Sequence, residues 1–170
     1  MANADRPQGL QFGYTKHGGP PQIMVMKTAG TLPIYKGDIV DMTSGWVQSV
    51  TATTDLPVGV AAAYTSSTAA GVGDVYVYND LVNTVFIAQA DGTDIAGTSL
   101  CGIRYALTAT AGTTASEQSL MEIDSSTDTG GPLHVLDKVN RPDNAWGGWV
   151  DMYVELLLDA KARSTSLVSS

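Results

Sequence analysis

The chain has 170 residues, 15% of them charged, and a formal net charge of −8. That is enough for one domain with a real apolar core, needing neither disulfide nor metal to hold it. A single cysteine, Cys101, excludes an internal disulfide and a thiolate metal cluster. The start "MANADRPQGL" lacks a basic-then-apolar leader and no apolar run is long enough to span a bilayer, so the expectation is a soluble, cytoplasm-made protein with no membrane partner.

The charge is unevenly placed. Residues 1–36 carry Arg6, Lys16, Lys27 and Lys36 against Asp5 alone, whereas Arg104, Lys138 and Arg141 are the only cations in a strongly acidic stretch from 37 to 155. Phosphate binding needs a basic stripe, so an acidic body argues against nucleic acid as the main ligand. Few charges and many small residues suit a surface that packs against other chains.

In chain order, residues 1–33 read as an extended arm rather than a packed element. "HGGPPQ" at 17–22 interrupts any regular ladder, because proline removes donors and paired glycines loosen the backbone. The arm nevertheless carries Leu10, Phe12, Tyr14, Ile23, Met24, Val25 and Met26, too much apolar material for a solvated linker.

From "PIYKGDIV" at 33–40 onward the sequence reads as β. "WVQSV", "DVYVY" and "NTVFIAQ" alternate, with turn signals such as "TSGW", "DLPVG", "AAGVGD" and "ADGTD" between short runs. "VYVYNDLVNTVFIAQ" reads as two strands around a tight connection. Residues 93–109 fit a short helix or an irregular crossing, and 108–118 a polar loop. "LMEID" sends Met121 and Ile123 to one face and Glu122 and Asp124 to the other.

After the corner "RPDN", Val150, Met152, Val154 and Leu156 share one face, while Asp151, Tyr153 and Glu155 share the other. A helix through "ELLLDAKAR" is the rival reading. Short, evenly spaced strands in one unit predict an all-β fold, a sandwich or small barrel. The division expected is an arm at 1–33, a β-domain at 34–156 and a tail at 157–170.

Catalytic signatures are absent from the sequence: no GxSxG, no phosphate-binding loop, no GxGxxG after a strand, no HExxH. His17 lies in the arm, and His134 in a strand reads as solvent-facing or hydrogen-bonded. Cys101 reads as a buried small hydrophobe. The pairs Asp38/Asp41, Asp91/Asp94 and Asp124/Asp128 flank turns, where aspartate caps local backbone. "DSSTDTGG" is a poor match to a calcium loop. The expectation is no catalytic residue, no metal and no cofactor. Trp46, Trp146 and Trp149 offer a sugar-stacking platform, though packing is the commoner fate of tryptophan.

Several stretches in order along the chain, "MANADRPQGL", "IYKGDIV", "VGVAAAYTSS", "VYVYNDLVNTVFIAQADG", "MEIDSSTDT" and "LHVLDKVNRPDNAWGGWVDMYVEL", resemble the capsid decoration (cement, or head-stabilising) proteins of tailed bacteriophages. The resemblance implies a non-enzymatic, β-tulip-like protein on the outer capsid surface of the virion. It implies a homotrimer whose partner is the major capsid protein and whose arm crosses subunit junctions. Arg6, Pro7, Leu10, Phe12 and Tyr14 would then be capsid-binding, and Trp146 and Trp149 would stand at an interface. The loop 93–118 and the tail depart from the family pattern. A carbohydrate-binding or adhesin module on a virion surface is the alternative, resting on the tryptophans and the Asp-rich turns.

Overall fold

Period-two alternation becomes strand wherever a turn lets the chain reverse, and the molecule is built this way throughout. The computed structural model describes residues 3–51, 57–92, 101–126 and 131–157. Its strands are β1 (Gln11–Thr15), β2 (Ile23–Lys27), β3 (Ile39–Thr43), β4 (Trp46–Ser49), β5 (Pro57–Ala61), β6 (Asp74–Tyr78), β7 (Thr84–Gln89), β8 (Arg104–Thr108), β9 (Glu122–Asp124), β10 (Leu133–Lys138) and β11 (Asp151–Leu156). No helix occurs among the described residues.

The strands form two antiparallel sheets, one ordered β1-β7-β11-β10-β8-β9 and the other β2-β6-β5-β3-β4. Neither closes into a barrel, so the architecture is a sandwich. The main core lies between the sheets. Leu10, Ile39, Val60, Phe86, Tyr105, Ile123, Leu133, Val135, Met152 and Val154 all enter it. A smaller core of Ile34, Val40, Val47, Ala61, Val75 and Val77 sits on the other face of the five-stranded sheet. That sheet curls over it: a parallel bridge joins Thr28 to Val47, and Ala29 N–H donates to the Val47 carbonyl at 2.6 Å.

The closing strand follows its alternation except at its first residue, Asp151, which is buried. Val150, Met152, Val154 and Leu156 are buried in the main core, while Tyr153 and Glu155 are half-buried. β11 pairs with β10 on one side and β7 on the other, so it is a central strand. Met121 and Ile123 point inward with Glu122 and Asp124 turned out, as expected. β6 and β7 are both strands but belong to different sheets, and the link between them crosses the sandwich. Asp80 fixes that crossing by accepting the Asn83 side-chain amide at 2.9 Å, and Leu81 plugs the core beneath it. Residues 93–100 and the end of the proposed helix, from 158 on, lie outside the described residues.

Two expectations are corrected here. Residues 11–15 and 23–27 are not a separate arm, because β1 pairs with β7 and β2 with β6. Gly9, at φ +64°, lets the chain press onto the body: a Cβ there would lie 2.4 Å from that of Ser119. Leu10 N–H then donates to the Gly37 carbonyl at 2.9 Å and its side chain enters the core, 1% exposed. A residue without surface cannot touch a capsid, so Leu10 leaves the capsid-binding set. Cys101, expected to be buried, is exposed. Partial desolvation and then the nearby Asp137 carboxylate push its thiol up, away from the reactive thiolate form.

Candidate functional site

The end of the six-stranded sheet where the N-terminal segment meets the 139–150 corner concentrates the polar chemistry of the molecule. The corner is a turn in which Asn144 N–H donates to the Arg141 carbonyl at 3.2 Å, with Pro142 as its second residue. Proline suits that place because its φ is already set. Asn144 is 3% exposed. Its side-chain amide donates to the Val139 carbonyl at 2.9 Å and the Asp151 carbonyl at 2.8 Å, and accepts Asp151 N–H at 2.9 Å. It therefore clamps the end of β10 to the start of β11. Asp143 does no such work. It is mostly exposed and pairs with Arg141 at 2.9 Å, while Arg141 also meets Asp151.

The N-terminal segment is laid against this corner by side chains that sequence reasoning did not single out. Asn3 donates to the carbonyls of Ala145 (2.8 Å) and Gly148 (2.9 Å) and accepts Ala145 N–H at 2.9 Å. Gln89, 7% exposed, accepts the Arg6 backbone N–H at 2.8 Å and donates to the Ala4 carbonyl at 3.0 Å and the Trp149 carbonyl at 3.2 Å. The only sequence signal for Gln89 is a polar residue closing the apolar run "VFIAQA".

Between segment and corner opens a cavity of about 440 Å³ whose lining includes Arg6, Gln8, Gln89, Arg141, Asp143 and Trp149. Trp149 holds a backbone φ of +55°, rare for a bulky residue and worth roughly 1–3 kcal/mol of strain. Gly92 makes room for its indole: a Cβ there would stand 3.0 Å from Cζ2. Trp146, by contrast, packs half-buried against the main core. The two tryptophans thus differ, one supporting the core and one walling a cavity.

The other named residues are placed as follows. Arg6 is exposed and Pro7 half-buried. Phe12 stacks on Tyr78 with ring centroids 5.7 Å apart. Tyr14 is exposed and meets Tyr153 edge-on at 5.5 Å. His17 is exposed, and His134 Nδ1 lies 3.7 Å from Glu155, which also pairs with Lys16 at 2.7 Å. Among the described residues no group of three or more histidine, cysteine or carboxylate side chains could hold a metal ion. No helix among them is long and apolar enough to cross a membrane.

Of the described aspartates named as turn caps, Asp38 and Asp124 bond their local turns, whereas Asp41 lies buried within β3. Asp38 accepts the Tyr35 N–H at 2.9 Å and the Ser49 hydroxyl at 2.5 Å, and Asp124 accepts Ser126 N–H at 3.0 Å. Asp91 reaches farther, to Ser125. Burial raises the Asp38 carboxyl above its ordinary value against the pull of these donors. Asp38 also lines an apolar cavity of about 350 Å³ with Leu32, Pro33, Val50 and Met121.

Glu122 carries the largest titration effect. Burial, then the like charges of Asp5 and Asp91, push its carboxyl from 4.5 to about 7. The folded chain therefore favours protonated Glu122. Its contribution to stability is full below pH 4.5 and is lost as pH rises through about 7. Asp38 works in the same direction. Urea melts between pH 4.5 and 8 should show stability falling with pH, and Glu122→Gln should flatten the fall. An unchanged slope in that variant would remove Glu122 as its source.

Compared with protein-family models, curated proteins and solved structures, the chain matches none. The geometry therefore carries the functional reading.

Proposed function

We propose that this chain is a structural virion protein. In this reading it binds the outer surface of an assembled phage capsid as a homotrimer and cements the junctions between major capsid subunits. The observation that carries the reading is the state of β2. It ends the five-stranded sheet, and among the described residues its outer side meets β4 only just past the strand, at Thr28 and Ala29. Ile23, Met24 and Val25 are all exposed, with Tyr76 beside Val25 on the neighbouring strand.

An open edge with apolar side chains on both faces is a template for pairing, which free-standing proteins blunt with charge, proline or a covering loop. Among the described residues the protection comes only at the strand's end, where Lys27 pairs with Asp74 at 2.5 Å. Leu32, 79% exposed, and Val72 add to the apolar surface. Such a surface suits a chain held by neighbours, whether through added strand pairing or apolar contact. Arg6, Pro7, Phe12 and Tyr14 remain the contact candidates of the N-terminal segment, with Trp149 beside them. A protein that binds only the mature shell stabilises it by mass action, and many copies act together.

The test is a re-binding assay on capsids stripped of this protein. Val25→Lys lies on an exposed position and should keep the parent's melting temperature while coating at least about tenfold more weakly. Native mass measurement should give a trimer, or a monomer that trimerises on the shell. Normal coating by the lysine variant, or a stable dimer or tetramer, would count against the assignment.

A further inference from the structure

We propose that the cavity beside Trp149 is a binding site for a neutral saccharide, an activity separate from any contact with a capsid. Its volume of about 440 Å³ is in the range of small-ligand pockets. The lining mixes the groups a polyol needs. Arg6 and Arg141 supply donors only, Asp143 supplies acceptors only, and the amide of Gln8 supplies both. The formal charges of the lining cancel, Arg6 and Arg141 against Asp143 and Asp151, and Arg141 pairs with both carboxylates. An anion entering would meet two carboxylates and a cation two guanidiniums, whereas an uncharged ring of hydroxyls meets a partner for each donor and each acceptor.

The indole completes the set, because the C–H face of a pyranose is apolar and packs on an aromatic plane. Trp149 is held for such a role. Its backbone N–H donates to the Asp91 carbonyl at 3.4 Å and its backbone carbonyl accepts from Gln89 at 3.2 Å. These bonds keep the residue at its unusual φ of +55°, where a tryptophan chosen only to fill space has no reason to sit. Buried Gln89 fixes the wall beside it, and the Asn144 clamp holds Asp151, another lining residue. The wall is therefore set before a ligand arrives, which limits the ordering cost of weak polar binding.

The experiment uses the free full-length chain, so its outcome is independent of capsid binding. Glucose, galactose, mannose, N-acetylglucosamine and their β-1,4-linked dimers are titrated with saturation-transfer NMR and tryptophan fluorescence as readouts. Glucuronate and glucosamine are the charged controls. At least one neutral sugar should bind with a millimolar or tighter Kd, and the charged controls about tenfold more weakly. Trp149→Asn should abolish the signal, since asparagine tolerates positive φ and keeps the corner folded. Arg6→Ala and Gln8→Ala, both at exposed positions, should weaken binding several-fold with the melting temperature unchanged. Trp46→Ala, on β4 of the other sheet, should leave it intact. No saturation transfer from any neutral sugar overturns the proposal. So does binding that survives Trp149→Asn, or binding that is lost in Trp46→Ala.

Discussion

A chain lacking residues 1–33 is expected not to fold. The deletion removes β1 and β2, one from each sheet, and so opens the edges of β7 and β6 at once. It also withdraws Leu10 from the main core and Phe12 from its stack on Tyr78. Leu10 alone, truncated to alanine, should cost about 2–5 kcal/mol, because it is fully buried and its neighbours collapse only partly. The lost pairing of both strands adds to this, against the roughly 5–15 kcal/mol that holds a typical domain. Circular dichroism should show no cooperative thermal transition for the truncated chain and a lowered one for Leu10→Ala. A cooperative transition in the truncated protein would restore the picture of a detachable arm.

The reason those strands were hard to read lies in their position. Alternation is visible where one face is buried and the other wet, as in Val150, Met152, Val154 and Leu156. β2 is an edge strand with Ile23, Met24 and Val25 exposed on both faces, so "IMVMK" shows no two-residue contrast. β1 is interrupted by an irregularity in its register between Phe12 and Tyr14, and "HGGPPQ" between the two strands reads as a break when it is only a long connection. The sheet partners of β6 and β7 were illegible for another reason. A short link such as "NDLVN" serves a hairpin and a crossing equally well, and only Leu81 dropping into the core decides which.

The site was legible in pieces. Arg6 and Trp149 each drew attention, yet nothing local indicates that residues so far apart in the chain line one cavity. Asn3 and Gln89, which bring them together, are ordinary polar residues in sequence. Their importance comes from what they meet: unpaired backbone carbonyls and N–H groups at strand ends, which must find partners when covered.

The corner "RPDN" holds two adjacent polar residues of the kind that cap turns, and the structure separates them sharply. Asn144→Ala is expected to be among the most damaging single changes in the molecule, and Asp143→Ala nearly silent. Asn144 is buried and makes three bonds to the backbone of Val139 and Asp151. Removing its side chain strands the Asp151 N–H in a space that water enters poorly, which costs about 1–3 kcal/mol, and takes one donor each from the Val139 and Asp151 carbonyls, which keep the Arg141 and Val139 N–H groups. The start of β11 and the end of β10 would then be released together, loosening the cavity wall at Asp151. Asp143 gives up only a solvent-screened pair with Arg141, worth about 0–1 kcal/mol, and Arg141 keeps its second partner in Asp151. Asn144→Asp should fall between the two, since it keeps an acceptor for Asp151 N–H but sets a charge against two carbonyls. Thermal melts of the three variants should therefore rank Asp143→Ala above Asn144→Asp above Asn144→Ala. Hydrogen exchange should speed up in Asn144→Ala at Val139 and Asp151, the two strand ends it clamps, whose N–H groups bond to the Asp151 carbonyl and to Asn144 itself. Equal melting of the two alanine variants would mean that the corner is held by Pro142 and the salt bridge rather than by the asparagine.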